Sequence, residues 1–68
     1  MVNTKEIKAC MVRKELTQRE VAEKLNMSEK TFYLRMKNGV FGSDEIEILI
    51  ELLGIDDPMS VFFAQTVT

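Results

Sequence analysis

A chain of 68 residues and 7.8 kDa has room for one domain, taken here as residues 1–68, and its 46% hydrophobic content separates it from disordered chains. It contains no histidine and one cysteine, so the usual general base, an internal disulfide and a zinc ligand set are all missing; neither enzymatic activity nor a metal or other cofactor is expected. The net charge of −2 hides a segregation: residues 1–40 hold all nine Lys and Arg against five acids, while residues 41–68 hold six acids and no base.

That asymmetry suits a molecule that turns one face toward a polyanion and the other away, although small domains often carry uneven charge. The longest apolar run, Ile48–Ile50, is far too short to span a membrane, and the first residues lack the apolar segment of a signal peptide. A lone cysteine fits a reducing compartment. These features predict a cytoplasmic chain with no membrane partner. Gly39 and Gly42 fit no phosphate-loop pattern, and no small-molecule ligand is expected.

In chain order the strongest signals are helix starts. Asn3 caps a first helix over 4–14, with Val2 and Ile7 as a hydrophobic staple and Ile7, Cys10, Met11 and the stem of Lys14 facing inward. Cys10 reads as a small core residue. Thr17-Gln18-Arg19-Glu20 is a full capping box, stapled by Leu16 and Val21, for a second helix over 18–24 that buries Val21, Ala22 and Leu25 and stops at Asn26. Ser28 caps a third helix over 29–37, with Met27 and Phe32 as its staple, Phe32 and Met36 on one face, and Asn38-Gly39 as its stop. A fourth helix starts near Ser43 or Asp44, with Gly42 as another candidate cap, and ends at Gly54. A fifth begins at Asp57-Pro58 and runs over 58–64. Residues 65–68 allow a short extended piece; otherwise no strand pattern occurs, and the expected fold class is all-α with five helices.

Only Leu25, Asn26 and Met27 separate the second and third helices, the spacing of a helix-turn-helix. The geometry needs a small residue where the helices approach, a residue tolerant of positive φ in the turn, and apolar plugs beneath. Ala22, Asn26 and the set Val21, Leu25, Met27 and Phe32 supply them. The stretch from Leu16 to Ser28, LTQREVAEKLNMS, resembles the helix-turn-helix of phage repressors of the Cro/cI type, the XRE family. Thr17-Gln18 opening the second helix, then Val21-Ala22, is the family's hallmark. The resemblance covers about residues 7–63 and implies a five-helix, lambda-repressor-like domain that binds duplex DNA in a phage or prophage setting. Three positions depart from the pattern. Glu15 stands where the family usually has Gly, Met11 replaces a basic residue, and Arg35 occupies a site often filled by an aliphatic side chain.

In this motif the second helix of the pair enters the major groove. Placing Phe32 and Met36 inward leaves Lys30, Tyr33, Leu34 and Lys37 outward, at about 100° per residue. The resemblance then makes Glu29, Lys30, Tyr33 and Leu34 candidate base contacts. Lys30 donates to guanine, Glu29 accepts from cytosine N4, and Tyr33 and Leu34 pack on thymine methyls. Glu29 also serves the helix dipole, and both lysines also serve simply as solvated charges. Candidate phosphate contacts are Thr17, Gln18, Arg19, Ser28, Thr31, Lys37 and Asn38, with capping as the first role of Thr17 and Ser28.

The fourth and fifth helices hold more apolar residues than one short helix can cover. The surplus at Ile48, Leu52, Phe62 and Phe63 reads as a homodimer interface that forms fully on the operator, or alternatively as the seat of the fifth helix. The sequence therefore predicts a repressor-like regulator bound to a pseudo-palindromic double-stranded operator. The competing reading keeps the fold but binds protein, as an antitoxin or anti-repressor partner does.

Overall fold

The computed structural model describes residues 2–62. Five helices follow in order: α1 Thr4–Arg13, α2 Gln18–Lys24, α3 Glu29–Asn38, α4 Ser43–Leu53 and α5 Pro58–Phe62. No strand occurs among the described residues, so the all-α class holds. The expected final turn of the fifth helix and the extended piece at 65–68 lie outside them. None of the described helices is long and apolar enough to cross a membrane.

Each start has a local cause. The Asn3 side chain accepts from the Glu6 N–H at 3.3 Å. Thr17 and Glu20 close a reciprocal box, the hydroxyl accepting from the Glu20 N–H at 3.1 Å and the carboxylate from the Thr17 N–H at 3.0 Å. Ser28 accepts from the Thr31 N–H at 3.1 Å. Gly42, rather than Ser43 or Asp44, caps α4; having no side chain, it takes only half of a box, its N–H donating to Glu45 at 2.9 Å.

The stops of α1 to α4 share one geometry. A residue in the left-handed region ends each: Glu15 (φ 56°), Asn26 (φ 62°), Gly39 (φ 68°) and Gly54 (φ 63°). The next amide then reaches back five residues, Leu16 to the Met11 carbonyl at 2.9 Å, Met27 to Ala22 at 3.0 Å, Val40 to Arg35 at 3.3 Å and Ile55 to Ile50 at 3.0 Å. Glycine and asparagine enter this region readily. Glu15 does so at a cost of about 1–2 kcal/mol.

Ile7, Val21, Phe32 and Leu49, one from each of α1 to α4, are fully enclosed. Each such burial stabilises the fold by about 1.5–3 kcal/mol. Cys10 and Met11 are buried beside them. Lys14 is exposed rather than inward. The connection between α3 and α4 is no bare linker, because Phe41 is buried and its ring stands 6.1 Å from that of Phe32, tilted by 52°.

The apolar surplus resolves differently from its sequence reading. Leu49 and Leu53 are buried, Ile46, Ile50 and Leu52 pack partly against the core, and Val61 and Phe62 are enclosed. The segment before α1 is tied to the end of α3 and to α5: the Val2 N–H donates to the Gly39 carbonyl at 3.1 Å and the Asn3 N–H to the Val61 carbonyl at 2.6 Å. With α5 held on α1 this way, Phe62 is 3% exposed, a core residue of the folded chain rather than apolar surplus left on its surface. Ile48 keeps an exposed edge beside the half-buried Leu52. Phe63 lies outside the described residues.

Candidate functional site

The pairing of α2 with α3 is the most extensive helix–helix contact among the described residues. Its basis is local: Val21, Ala22 and Leu25 leave α2 on the same side, the left-handed Asn26 reverses the chain, and Phe32 and Met36 of α3 come down onto them. Ala22 is 1% exposed, enclosed between the two helices and the core.

With Phe32 and Met36 committed to the core, the outer surface of α3 splits into two flanks. On one flank Tyr33 and Lys37 line a depression of about 230 Å³ together with Lys8 of α1, Gln18 of α2 and the edge of Met36. On the other, Thr31, Leu34 and Asn38 line a groove of about 370 Å³ with Arg35 and Val40. Glu29 and Lys30 stand exposed at the N-terminal end of α3. Tyr33 (55%), Leu34 (44%) and Val40 (64%) leave unusual apolar area open to solvent along one short helix and its turn.

The electrostatics of the two flanks differ. No carboxylate of the described residues lies within ion-pair distance of Lys8, Lys30 or Lys37. The first flank therefore gathers two uncompensated ammonium groups, an amide and a phenol, a set that suits an anion bearing several acceptor oxygens. On the second flank the only cation, Arg35, is already taken. Its Nε donates to Glu45 Oε1 at 3.0 Å and its Nη2 to Glu45 Oε2 at 3.1 Å, a bidentate pair.

The remaining expected site residues fall as follows. Thr17 is exposed and engaged in its capping box. Arg19 leans toward Glu23 at 3.5 Å on the outer side of α2, an exposed pair of little energetic weight. Ser28 donates to the Thr31 hydroxyl at 2.9 Å, so the two hydroxyls present as one unit at the start of α3. Ile48 and Leu52 lie away from this surface, in a shallow apolar depression edged by Lys24 and Glu51.

Sequence reasoning missed Lys8, Val40 and the Arg35–Glu45 pair. Lys8 reaches the site only because α1 packs beside the α2–α3 pair, which no spacing encodes. The ion pair did leave traces: Glu45 stands three residues after the Gly42 cap of α4, and Arg35 at a site otherwise suited to an aliphatic residue.

Among the described residues no group of three potential metal ligands forms. No protein-family model matches the chain, and no curated protein or solved structure is significantly similar to it.

Proposed function

We propose that this protein is a sequence-specific binder of double-stranded DNA, a repressor-like regulator of the Cro/cI kind, in which α2 and α3 act as a helix-turn-helix and α3 enters the major groove. The observation that carries this reading is the convergence of Lys8, Gln18 and Lys37 beside the exposed Tyr33. Three elements thereby supply donors to one side of α3, where a DNA backbone would run if α3 lay in the groove. Lys30 and Glu29 then address base edges from the N-terminal end, and Leu34 and the Tyr33 ring pack on thymine methyls. Thr17, Gln18, Ser28, Thr31, Lys37 and Asn38 fix the register on phosphates, with Arg19 at the margin.

Pairing on a pseudo-palindromic site completes the proposal, because so short a reading helix contacts few bases. Ile48 and Leu52, which share a shallow apolar depression away from the base-reading residues of α3, are the side chains that would carry it. A two-fold axis there would bring Lys24 of one copy near Glu51 of the other.

Binding should be measured by fluorescence anisotropy on sites selected from random duplexes, as a function of salt. The logarithm of affinity should fall linearly with the logarithm of salt concentration, by about 0.9 per phosphate neutralised. Lys30→Ala should relax preference at one base position. Gln18→Ala should weaken binding on all sequences alike. Failure to enrich any duplex sequence at low salt would overturn the proposal.

A further inference from the structure

We infer that Glu45 is a specificity residue, which keeps the Arg35 cation from serving as an indiscriminate phosphate contact; the inference rests on the DNA-binding reading above. Arg35 shares its groove with Thr31, Leu34 and Asn38, three residues placed at DNA by that reading, and its side chain is 42% exposed. A guanidinium there, left free, would be drawn to the nearest backbone. Phosphate attraction adds affinity for every sequence and discrimination for none.

The pair is built to prevent this. Both carboxylate oxygens of Glu45 are engaged by Arg35, and Oε1 also accepts from the Gly42 N–H at 2.9 Å. The Glu45 side chain is only 18% exposed, so its capping bond and its partial burial hold the carboxylate where Arg35 must meet it. The clamp uses the Nε and Nη2 edge of the guanidinium. The charge is balanced within 3.1 Å, while the groove keeps its shape and its neutral donors, the Thr31 hydroxyl and the Asn38 amide. The two flanks of α3 thus differ in kind. The Lys8–Lys37 flank is a charged seat for a backbone, and the Arg35 flank is neutralised so that its contacts depend on fit. A deliberate loss of non-specific attraction is a recognised route to specificity.

The test is the salt dependence of binding to a selected duplex and to an unrelated duplex. Glu45→Gln keeps an acceptor for Gly42 and Arg35 but removes the charge. It should steepen the salt slope by about 0.9, one additional phosphate neutralised. It should also tighten binding to the unrelated duplex by several-fold more than to the selected one. In the double variant Arg35→Gln/Glu45→Gln the slope should return to that of wild type. Asp44→Asn, an equal charge change one residue away, should leave the slope unchanged. A thermal melt of each variant separates these effects from loss of folding. If wild type binds with a normal salt slope and Glu45→Gln leaves that slope unchanged, or steepens it equally without Arg35, the inference fails while the DNA-binding reading stands. If wild type binds no duplex, both fail together. If Glu45→Gln does not fold, Arg35→Met/Glu45→Met, an apolar replacement of the pair, should bind with the wild-type slope; a steeper slope would overturn the inference.

Discussion

Helices α3 and α4 are nearly equal in length and each buries two side chains, Phe32 and Met36 in one, Leu49 and Leu53 in the other. Their remaining residues differ completely. Beyond its two anchors α3 carries Lys30, Tyr33, Leu34 and Lys37 outward, held in place by caps and by the α2 contact. Beyond its two anchors α4 carries Ile46, Ile50 and Leu52, which lean back onto the core, and an outer row of Asp44, Glu47 and Glu51. The lesson is a division of labour. The sequence of α4 serves the interior, with a repelling exterior toward any polyanion. That of α3 leaves cations and apolar side chains exposed on its outer surface, and its hold on the interior is reduced to Phe32 and Met36.

The sharpest way to break this comparison is to charge the apolar residues of the acidic half one at a time. Phe62→Glu removes a buried aromatic and encloses a carboxylate without a partner, at a cost of about 4 kcal/mol or more. A domain of this size has a total stability of roughly 3–10 kcal/mol, so the variant should lose most of its helical circular dichroism or melt far below wild type. Ile48→Glu, on the exposed edge of α4, should stay within about 0.5–1 kcal/mol of wild type. A folded, stable Phe62→Glu would return Phe62 to the surface and undo the core assignment of α5.

Next in size is the contact that positions α3. Ala22→Leu adds three carbons to a buried site and should cost about 1–3 kcal/mol by thermal or denaturant melts. If DNA binding is as proposed, this variant should lose affinity even below its melting temperature, because α3 must shift to admit the larger side chain. An unchanged melt would show that α2 and α3 do not meet at Ala22.

A smaller and opposite effect is expected at the turns. Glu15 and Asn26 occupy the same left-handed conformation, but only asparagine enters it readily. Glu15→Gly should therefore stabilise the protein by about 0.5–1 kcal/mol, the relieved strain being partly offset by glycine's greater freedom in the unfolded chain. Asn26→Gly should change stability by no more than a few tenths. Equal responses at the two sites would mean that the Glu15 backbone is unstrained.

These contrasts also mark how far the sequence was readable. Four of the five starts were legible because capping is chemistry between residues three apart: Asn3, Thr17, Ser28 and Asp57 each precede the residue whose amide they meet. The start of α4 was ambiguous because Gly42 caps without a side chain. The outward set on α3 followed from the helix period once Phe32 and Met36 were placed inward. What stayed hidden was tertiary. Lys8 joins Gln18 and Lys37 only through the docking of α1, and Phe41 becomes a core residue only because the turn after α3 folds over Phe32. The burial of Phe62 stayed hidden for the same reason: an apolar count shows how much must be covered, while the bond from Asn3 to Val61, which helps hold α5 in place, joins residues far apart in the chain.

The smallest expected effect separates α3 from its packing partner α2 at their first turns. Ser28 caps α3 with Thr31 three residues on, two hydroxyls with no charge to titrate. Thr17 caps α2 with Glu20, and that carboxyl is held below the ordinary range, first by the bond from the Thr17 backbone N–H and then by the bond to its side chain. Because the folded value lies below the unfolded one, this contribution is complete above the unfolded pKa, about 4.3 for a free glutamate, and is lost as pH falls through the folded value. On acidification the Thr17 amide resonance should therefore titrate with a midpoint below that of free glutamate. The Thr31 amide at the start of α3 should not follow it. Glu20→Gln should flatten this part of the acid limb while leaving the melt near neutrality only slightly lowered, since the bond is solvent-exposed and modest. A Thr17 midpoint at or above that of free glutamate would show that the box stays open in solution, and α2 would then start on its hydroxyl cap alone, as α3 does.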